Sequence, residues 1–505
     1  MVGGVVMFEG LRNLFRKAGA KIGMNNSLID VTDDNRVNIP ASEYKRIARD
    51  FRYYRNDYDS ITEHVGKKIN RRKPHTVNMT KTAARRMASI IFNEKAKVSF
   101  DDEAANDFID EVFIDNDFYN QFEMNLEKGI VAGGFAMRPY VDNKKIKIAW
   151  IRADQFYPLR SNTNDIPECA IVSKTQRIEN HTVIYYSLLE FHQWDDQGNY
   201  IVTNELYRSD NKSVIGYRVP LNQIYDGLQD QTNLGKISEP LFSYFHTPGA
   251  NNISLESPLG VGIVDNARGE LKDINMINDA MRREIRYGKR RVVVPAQMLK
   301  FDDVHPPYFD PEDPTYVGFN GDDLKVADIT SDMRVDTLKS AMDYALRKFE
   351  VQIGLSAGTF SYDENGLKTA TEVVSDNSMT YQTRSSYLTM VEKCIKELCN
   401  AILELANING LFKINIETTD PGFHIFFDDG LFVDKDKQLD EDLKSTAALA
   451  MPKKQFLIRN YGLSDDEAEE WYQQTLQEQR DQLDLQTNIG EEQQDPNGDD
   501  EVGAE

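Results

Sequence analysis

The chain has 505 residues, and its 59 Lys and Arg face 82 Asp and Glu for a formal net charge of −23. That balance excludes a protein that grips nucleic acid over its whole surface, because such binding draws on bases spread along the phosphates. A hydrophobic content of 40% and a charged content of 28% fit a soluble globular chain of several domain-sized units.

No apolar run approaches the ~20 residues that cross a bilayer, and the apolar opening Met1–Met7 lacks the preceding basic region of a signal peptide, so a cytosolic protein is expected. Cys169, Cys394 and Cys399 are odd in number and without C-x-x-C spacing, which suggests neither a disulfide framework nor a zinc site. Residues 7–23 form a basic amphipathic stretch, Phe8, Leu11, Leu14 and Phe15 against Arg12, Arg16, Lys17 and Lys21. It suits a membrane surface or, being short and followed by a polar linker, an arm that docks on another subunit; the arm is preferred.

A helix is expected from about residue 42, with Ser42 as N-cap and Tyr44, Ile47, Phe51 and Tyr54 on one face. A second helix covers 80–93 with Ala83, Met87, Ile90 and Ile91 inward, and one or two more cover 103–128. Gly133-Gly134 marks a change of period. Residues 135–141, 145–151, 170–176, 182–191 and 200–208 read as strands, with turns at Asp142-Asn143 and Gln197-Gly198-Asn199. The Lys145-Ile146-Lys147-Ile148 alternation predicts a sheet with one wet face, and 41–260 reads as one α+β domain cored by that sheet.

Three long amphipathic helices follow. The first, 264–288, carries Leu271, Ile274, Ile277, Met281 and Ile285; the second, 332–355, carries Val335, Leu338, Met342, Ala345, Phe349 and Ile353. Stripes this narrow need a partner helix, in the same chain or in a neighbouring subunit. Between them, 291–330 is crowded with Pro306, Pro307, Pro311 and Pro314 and reads as a small β-rich module projecting from the pair. The third helix, 369–407, opens on a Thr369-Ala370-Thr371-Glu372 capping box. A polar first half predicts a bend, and Tyr387, Val391, Cys394, Leu398, Ile402 and Leu405 form a stripe in the second. The connector 356–368, with Gly358, Tyr362, Asn365-Gly366 and Lys368, is longer than helix–helix joints usually are and reads as a mobile functional loop. Residues 414–417 and 423–427 read as strands returning to the earlier sheet. Residues 435–479 are helical, broken at Pro452 and at Asn460-Tyr461-Gly462, with Ser464 and Glu467 as a further capping box.

Charge is unevenly placed. Residues 465–505 hold fifteen acids against one base, Arg480, and 486–505 lacks aromatics, as a solvated tail does. The opposite bias gathers Arg282, Arg283, Arg286, Lys289, Arg290 and Arg291 around Glu284 alone. That cluster complements a helix C-terminus or contacts a polyanion or an acidic partner, and both readings stay open.

Enzymatic signatures are missing. There is no G-x-x-x-x-G-K-[ST] segment, no G-x-S-x-G elbow and no H-E-x-x-H. Acidic pairs such as Asp302-Asp303 and Asp428-Asp429, and the Asp310, Glu312, Asp313 group, read as solvated turns rather than metal ligands. No cofactor is expected.

Three stretches carry a family likeness. Pro240-Leu241-Phe242-Ser243-Tyr244-Phe245 is followed by Asn251-Asn252-Ile253 and Ser257-Pro258-Leu259-Gly260. Ile353-Gly354-Leu355-Ser356-Ala357-Gly358-Thr359-Phe360 leads into Lys368-Thr369-Ala370-Thr371-Glu372-Val373. The third is 131–159, with Trp150-Ile151-Arg152-Ala153-Asp154-Gln155-Phe156-Tyr157-Pro158. With the order of elements over roughly 40–480, the chain resembles the portal proteins of tailed bacteriophages, especially long-tailed phages of Gram-positive hosts. The resemblance implies an α+β portal-type fold: an N-terminal arm (1–40), an α/β wing (41–262), a long-helix stem (263–290 and 332–355) and a small β-rich clip (291–331). A tunnel loop (356–368), a long bent helix (369–407), further wing strands (408–434), a helical crown (435–482) and an acidic tail (483–505) complete it.

It further implies a homo-oligomeric ring of about twelve copies at a capsid vertex of the virion, assembled in the host cytoplasm. Double-stranded DNA would be packaged and ejected through it without sequence recognition. The large terminase subunit, a head–tail adaptor, scaffold and major capsid protein would be the partners, with no membrane. Tyr362, Asn365 and Lys368 would touch DNA at the constriction, and the basic cluster from Arg282 to Arg291 would sit at the junction of stem and clip. Two other readings remain: a nucleic-acid-processing enzyme with a divergent carboxylate site, and a different head–tail connector ring.

Overall fold

The structure is a computed structural model of the chain. It describes residues 27–65, 68–92, 96–161, 165–288, 292–293, 327–328, 332–361, 378–413, 422–427, 435–448, 450–461, 463, 467–478 and 480. These fall into two compact units, one within 1–366 and 376–428 and the other within 367–375 and 429–505, each taken by itself below.

The first unit opens on β1 (Ser27–Leu28) and α1 (Ala41–Tyr54). Ser42 does not cap α1. The cap is Pro40, extended at φ −68°, with no side-chain bond; its ring presets the approach, and its carbonyl accepts from Glu43 N at 3.0 Å. The hairpin β2 (Ile61–Val65) and β3 (Lys68–Arg72) leads to α2 (Met79–Ile91), where Ala83, Met87, Ile90 and Ile91 are buried as their spacing predicts. After β4 (Lys97–Phe100) come α3 (Glu103–Asp115) and α4 (Phe118–Ala132), two helices parted at Asn116-Asp117, where Asp117 has φ +48°. Gly133 ends α4 at φ +94°, and a Cβ there would lie 2.1 Å from Gly260 O, so only glycine fits this change from helix to strand.

The strands do not form one sheet. β5 (Gly134–Asp142), β6 (Lys145–Arg152) and β13 (Ser243–His246) make a small antiparallel sheet in the order β13-β5-β6. A seven-stranded antiparallel sheet joins β1, β7 (Phe156–Arg160), β8 (Glu168–Glu179), β9 (Thr182–Trp194), β10 (Tyr200–Ser209), β11 (Gly216–Val219) and β12 (Gln231–Asn233). Its order is β1-β11-β10-β9-β8-β7, with β12 also on β10. The split falls at Ala153-Asp154-Gln155, a single 3-10 turn that redirects the chain from β6 into β7. Sequence alternation misses β7 because Phe156, Tyr157, Pro158 and Leu159 are all buried and show no period of two.

Each sheet has its own core. Tyr157, Leu159, Ala170, Val172, Leu189 and Phe191 fill one face of the larger sheet, with Tyr44 of α1 stacked on Tyr157 at 4.2 Å. Against the smaller sheet, Phe113, Phe118, Phe122, Phe135 and Trp150 form an aromatic nest whose closest rings, Phe113 and Phe118, are 3.9 Å apart. The longest helix, which also packs here, is the third of the expected rods. Three helices follow the sheets: α5 (Arg268–Tyr287), α6 (Val335–Gln352) and α7 (Ser378–Ile408). All six stripe residues of α7, from Tyr387 to Leu405, are buried. The capping box at its start lies outside the described residues, as does the polar stretch before Ser378; from Ser378 through the rest of that polar half the chain is one helix. β14 (Val292–Val293) pairs with β15 (Ala327–Asp328), so the two ends of the proline-rich module meet; its interior lies outside the described residues. β16 (Phe423–Phe426) does not rejoin the larger sheet but pairs with β4, Ile425 opposite Val98. Residues 414–417 lie outside the described residues.

The second unit holds α8 (Lys435–Ala447), α9 (Lys453–Tyr461) and a helix over 467–478. Asp442, buried, accepts from Asn460 Nδ2 at 3.0 Å and pairs with Arg459 at 3.4 Å, tying α8 to α9 across the break at Pro452. Lys454 pairs with Glu469 at 3.2 Å, and Tyr461 lies 6.1 Å from Trp471. The Ser464 cap lies outside the described residues.

Candidate functional site

α5 and α6 form an antiparallel hairpin. Glu284 near the end of α5 pairs with Arg334 ahead of α6 at 3.1 Å, while Glu270 near the start of α5 lies 3.6 Å from Lys348 near the end of α6. At 1.5 Å per residue the rods are about 30 Å long. The stripes read from sequence are buried only where the hairpin meets the sheet unit: Leu271, Ile274, Ala345, Phe349 and Ile353 are covered, but Ile285 is 59% exposed.

The root of α5 is fixed by a buried ionic cluster. Arg46 of α1 donates to Asp265 at 2.8 Å, to Glu43 at 3.2 Å and to Gly260 O at 2.8 Å. Arg49 also donates to Asp265, and to Asp50 at 3.1 Å. Asn251 donates to Glu43 at 2.9 Å and Ser257 to Glu43 at 3.2 Å. The Asn251–Gly260 stretch is therefore a structural plug that seats the hairpin on α1. Two arginines face three carboxylates, and burial, with the Asp265 charge next, raises the Asp50 pKa; a protonated Asp50 leaves the cluster neutral.

The exit of α6 is fixed by one carboxylate. Glu350, fully buried, accepts through Oε1 from Ser361 N at 2.8 Å and from Phe360 N, and through Oε2 from Gly358 N at 2.8 Å and Ser361 Oγ at 3.2 Å. Ser356 and Thr380 exchange further bonds, Ser356 N to Thr380 Oγ1 at 2.8 Å and Thr380 N to Ser356 Oγ at 3.2 Å. The first half of the expected loop, 356–361, is thus not a mobile connector but a bonded turn, because a buried charge satisfies its backbone donors. Sequence reading missed Glu350; its one signal is a carboxylate set directly beside the core residue Phe349.

Of the residues singled out from sequence, Tyr362, Asn365, Lys368, Lys289, Arg290 and Arg291 lie outside the described residues. Arg282, Arg283 and Arg286 do stand together, all exposed, on the last turns of α5. Arg282 lies 3.1 Å from His75 Nδ1, and Arg283 pairs with Asp279 at 3.6 Å. Asp279 also takes both ends of Arg72, at 2.8 and 2.6 Å, and the His75 amide at 2.9 Å. The Arg72 bonds foremost depress its carboxyl to about 2.

The described residues show no group of three His, Cys, Asp or Glu side chains that could hold a metal ion, and no helix long and apolar enough to cross a membrane. The three cysteines are buried and free.

An α+β chain with a helical hairpin seated on a two-sheet unit, and a long helix returning from it, belongs with the phage portal proteins. A family model described as "Phage portal protein, SPP1 Gp6-like" matches residues 34–481, and the chain is a member of that family. No curated protein matches it. Among solved structures it is similar to a chain in the "Neck of empty GTA particle computed with C6 symmetry", at 10% identity and a TM-score of 0.41, over 74% of this chain and 89% of that one.

Proposed function

We propose that the chain closes into a cyclic ring of about twelve copies at one capsid vertex, a non-enzymatic passage through which double-stranded DNA is packaged and ejected. The observation that carries this is the unpartnered apolar surface of the hairpin. Met276 and Ile285 of α5 are each 59% exposed, and Tyr344 and Val351 of α6 are 67% and 50% exposed. Met276 and Ile285 stand about two and a half turns apart, on opposite sides of one rod. A head-to-tail ring contact needs two such different faces per subunit, each meeting the other on a neighbour.

In this reading 41–262 with the strands of 408–434 is the wing, the hairpin the stem, 291–331 the clip, 369–407 the long helix behind the constriction and 435–482 the crown. The turn held by Glu350 aims the rest of the tunnel loop, so that Tyr362, Asn365 and Lys368 touch phosphates without reading bases. The stem-to-clip cluster around Arg282 serves the large terminase subunit, the head–tail adaptor or the channel; scaffold and major capsid protein meet the outer surface. An acidic passage with few local bases lets a polyanion slide, where an all-basic one would hold it by counterion release. The test is a chain with Tyr362–Gly366 shortened. Rings of normal mass with impaired DNA filling are expected, and normal filling contradicts the loop assignment.

A further inference from the structure

Residues 64–93 contain eight Lys and Arg and not one Asp or Glu, in a chain whose net charge is −23. Two of the eight are neutralised: Arg72 by Asp279 at 2.6 Å and Lys73 by Asp57 at 2.7 Å. Three others, Lys81, Arg85 and Arg86, stand exposed on the outer face of α2 while Ala83, Ala84, Met87 and Ala88 of the same helix are buried. Among the described residues no carboxylate lies within ion-pair distance of these three. Lys81 instead rests over the Tyr54 ring at 5.6 Å.

The three bases line a groove of about 420 Å³ together with Asn78, Thr82, Ser89 and Phe360. Asn78 caps α2, accepting from Lys81 N at 3.3 Å, so the positive end of that helix opens into the groove as well. Phe360 comes from the other side, from the turn that Glu350 holds. The hydroxyls of Thr82 and Ser89, which also line the groove, donate to the backbone oxygens of Asn78 and Arg86 at 3.1 and 2.9 Å, so the cations alone face a ligand there with a free charge.

From this geometry we infer that the outer face of α2 is a contact site for the phosphate backbone of double-stranded DNA, separate from the loop residues 362–368. Three unpaired cations on one helical face, Arg85 and Arg86 one turn on from Lys81, with no acid among them, bind a line of negative charge by its phosphates. Phe360 places this face at the start of the loop. The choice of DNA among polyanions rests on the reading of that loop as the channel constriction. The contact adds a second, sequence-independent hold where the loop begins, and three cations per subunit keep it weak enough for DNA to move.

The experiment uses the full chain as purified rings and a short fluorescent duplex, with affinity measured as NaCl is raised. The variant is Lys81→Gln with Arg85→Gln and Arg86→Gln, alongside the charge-keeping Lys81→Arg with Arg85→Lys and Arg86→Lys, and Lys368→Gln on the loop. The neutralised variant should keep ring mass, lose about tenfold or more in low-salt affinity, and show a log–log salt slope shallower by about 2 to 3. The charge-keeping variant should bind as the parent does. Inorganic phosphate should compete no better than NaCl at equal ionic strength; if it displaces duplex at equal ionic strength, the groove is a free-phosphate site and the inference falls. Unchanged duplex affinity in the neutralised variant, or loss of the ring in it (which would make α2 a subunit contact), also overturns the inference. So does displacement of the duplex by a peptide of residues 486–505 in the parent only, which would make the groove a seat for the acidic tail. A loss confined to Lys368→Gln refutes the groove and leaves the loop reading standing; a loss confined to the α2 variant does the reverse.

Discussion

Glu350 holds the turn at 358–361, from which the proposed tunnel loop continues, and replacing it gives a sharp test. Its two oxygens hold the amides of Gly358, Phe360 and Ser361 and the Ser361 hydroxyl. Alanine removes the acceptor for three backbone donors in a place where Leu355, Ser356 and Ser361 are buried. Each stranded donor costs about 1 to 3 kcal/mol, so keeping the turn closed becomes unfavourable by roughly 3 to 5 kcal/mol after partial rehydration. The turn therefore opens. At about 1.4 kcal/mol per factor of ten, its amides should exchange hydrogen about a hundred- to several-thousandfold faster. Glutamine keeps one acceptor oxygen and turns an NH2 toward the remaining donors, so its effect should fall between. Hydrogen exchange read by mass spectrometry on peptides over 355–361 measures this directly, with peptides from β8 and β9 as controls. Fast exchange confined to 355–361 is expected, with DNA filling impaired in parallel. Unchanged exchange in Glu350→Ala, or equal acceleration in the control strands, would refute the idea that this carboxylate holds the turn.

Asp279→Asn should cost about 2 kcal/mol near neutral pH, the equivalent of a carboxyl held at about 2 instead of 3.8. Because that pKa is depressed, the stabilisation is present above the ordinary value and is lost as pH falls toward 2; the gap between parent and variant in thermal melts should shrink as pH drops from 5 to 3. The raised pKa of Asp50 has the opposite sign: the folded state keeps a proton that the unfolded state releases, so stability falls as pH rises above 3.8. Asp50→Asn should flatten that fall in melts between pH 5 and 8, and an unchanged slope would contradict the neutral-cluster account. Gly260→Ala would set a Cβ 2.1 Å from Gly133 O and 2.5 Å from Thr247 Oγ1, both held by backbone or buried contacts. A loss of about 3 kcal/mol or more is expected, visible as a lowered melting temperature or as insoluble chain.

The parts that were legible in sequence are those where one physical pattern acts alone. The α7 stripe from Tyr387 to Leu405 was readable because every third or fourth side chain is apolar and every one is buried. Gly133-Gly134 was readable as a boundary because a left-handed residue closes the helix there. Where patterns overlap, reading failed. β7 is buried on both faces and so has no alternation, and β16 chose β4, a strand too short to announce itself. The Arg46–Asp265 pair joins residues 219 apart, and nothing local in either segment signals the other. Glu350 follows the stripe residue Phe349 directly, but the turn it holds begins eight residues on, and nothing local joins the two. The basic face of α2 was hidden by the overall charge, since an average over 505 residues conceals an acid-free stretch of thirty. The family likeness proposes an order of parts, but likeness of order carries no contact, and contacts decide what Glu350 and Arg46 do.

The central claim is that exposed hairpin faces on many copies close around a passage wide enough for duplex DNA. Native mass spectrometry of the purified full chain tests it most directly. A single closed species of about twelve or thirteen copies is the predicted result, reduced to smaller species by Met276→Asp or Tyr344→Asp. A stable monomer or dimer at every concentration would contradict it.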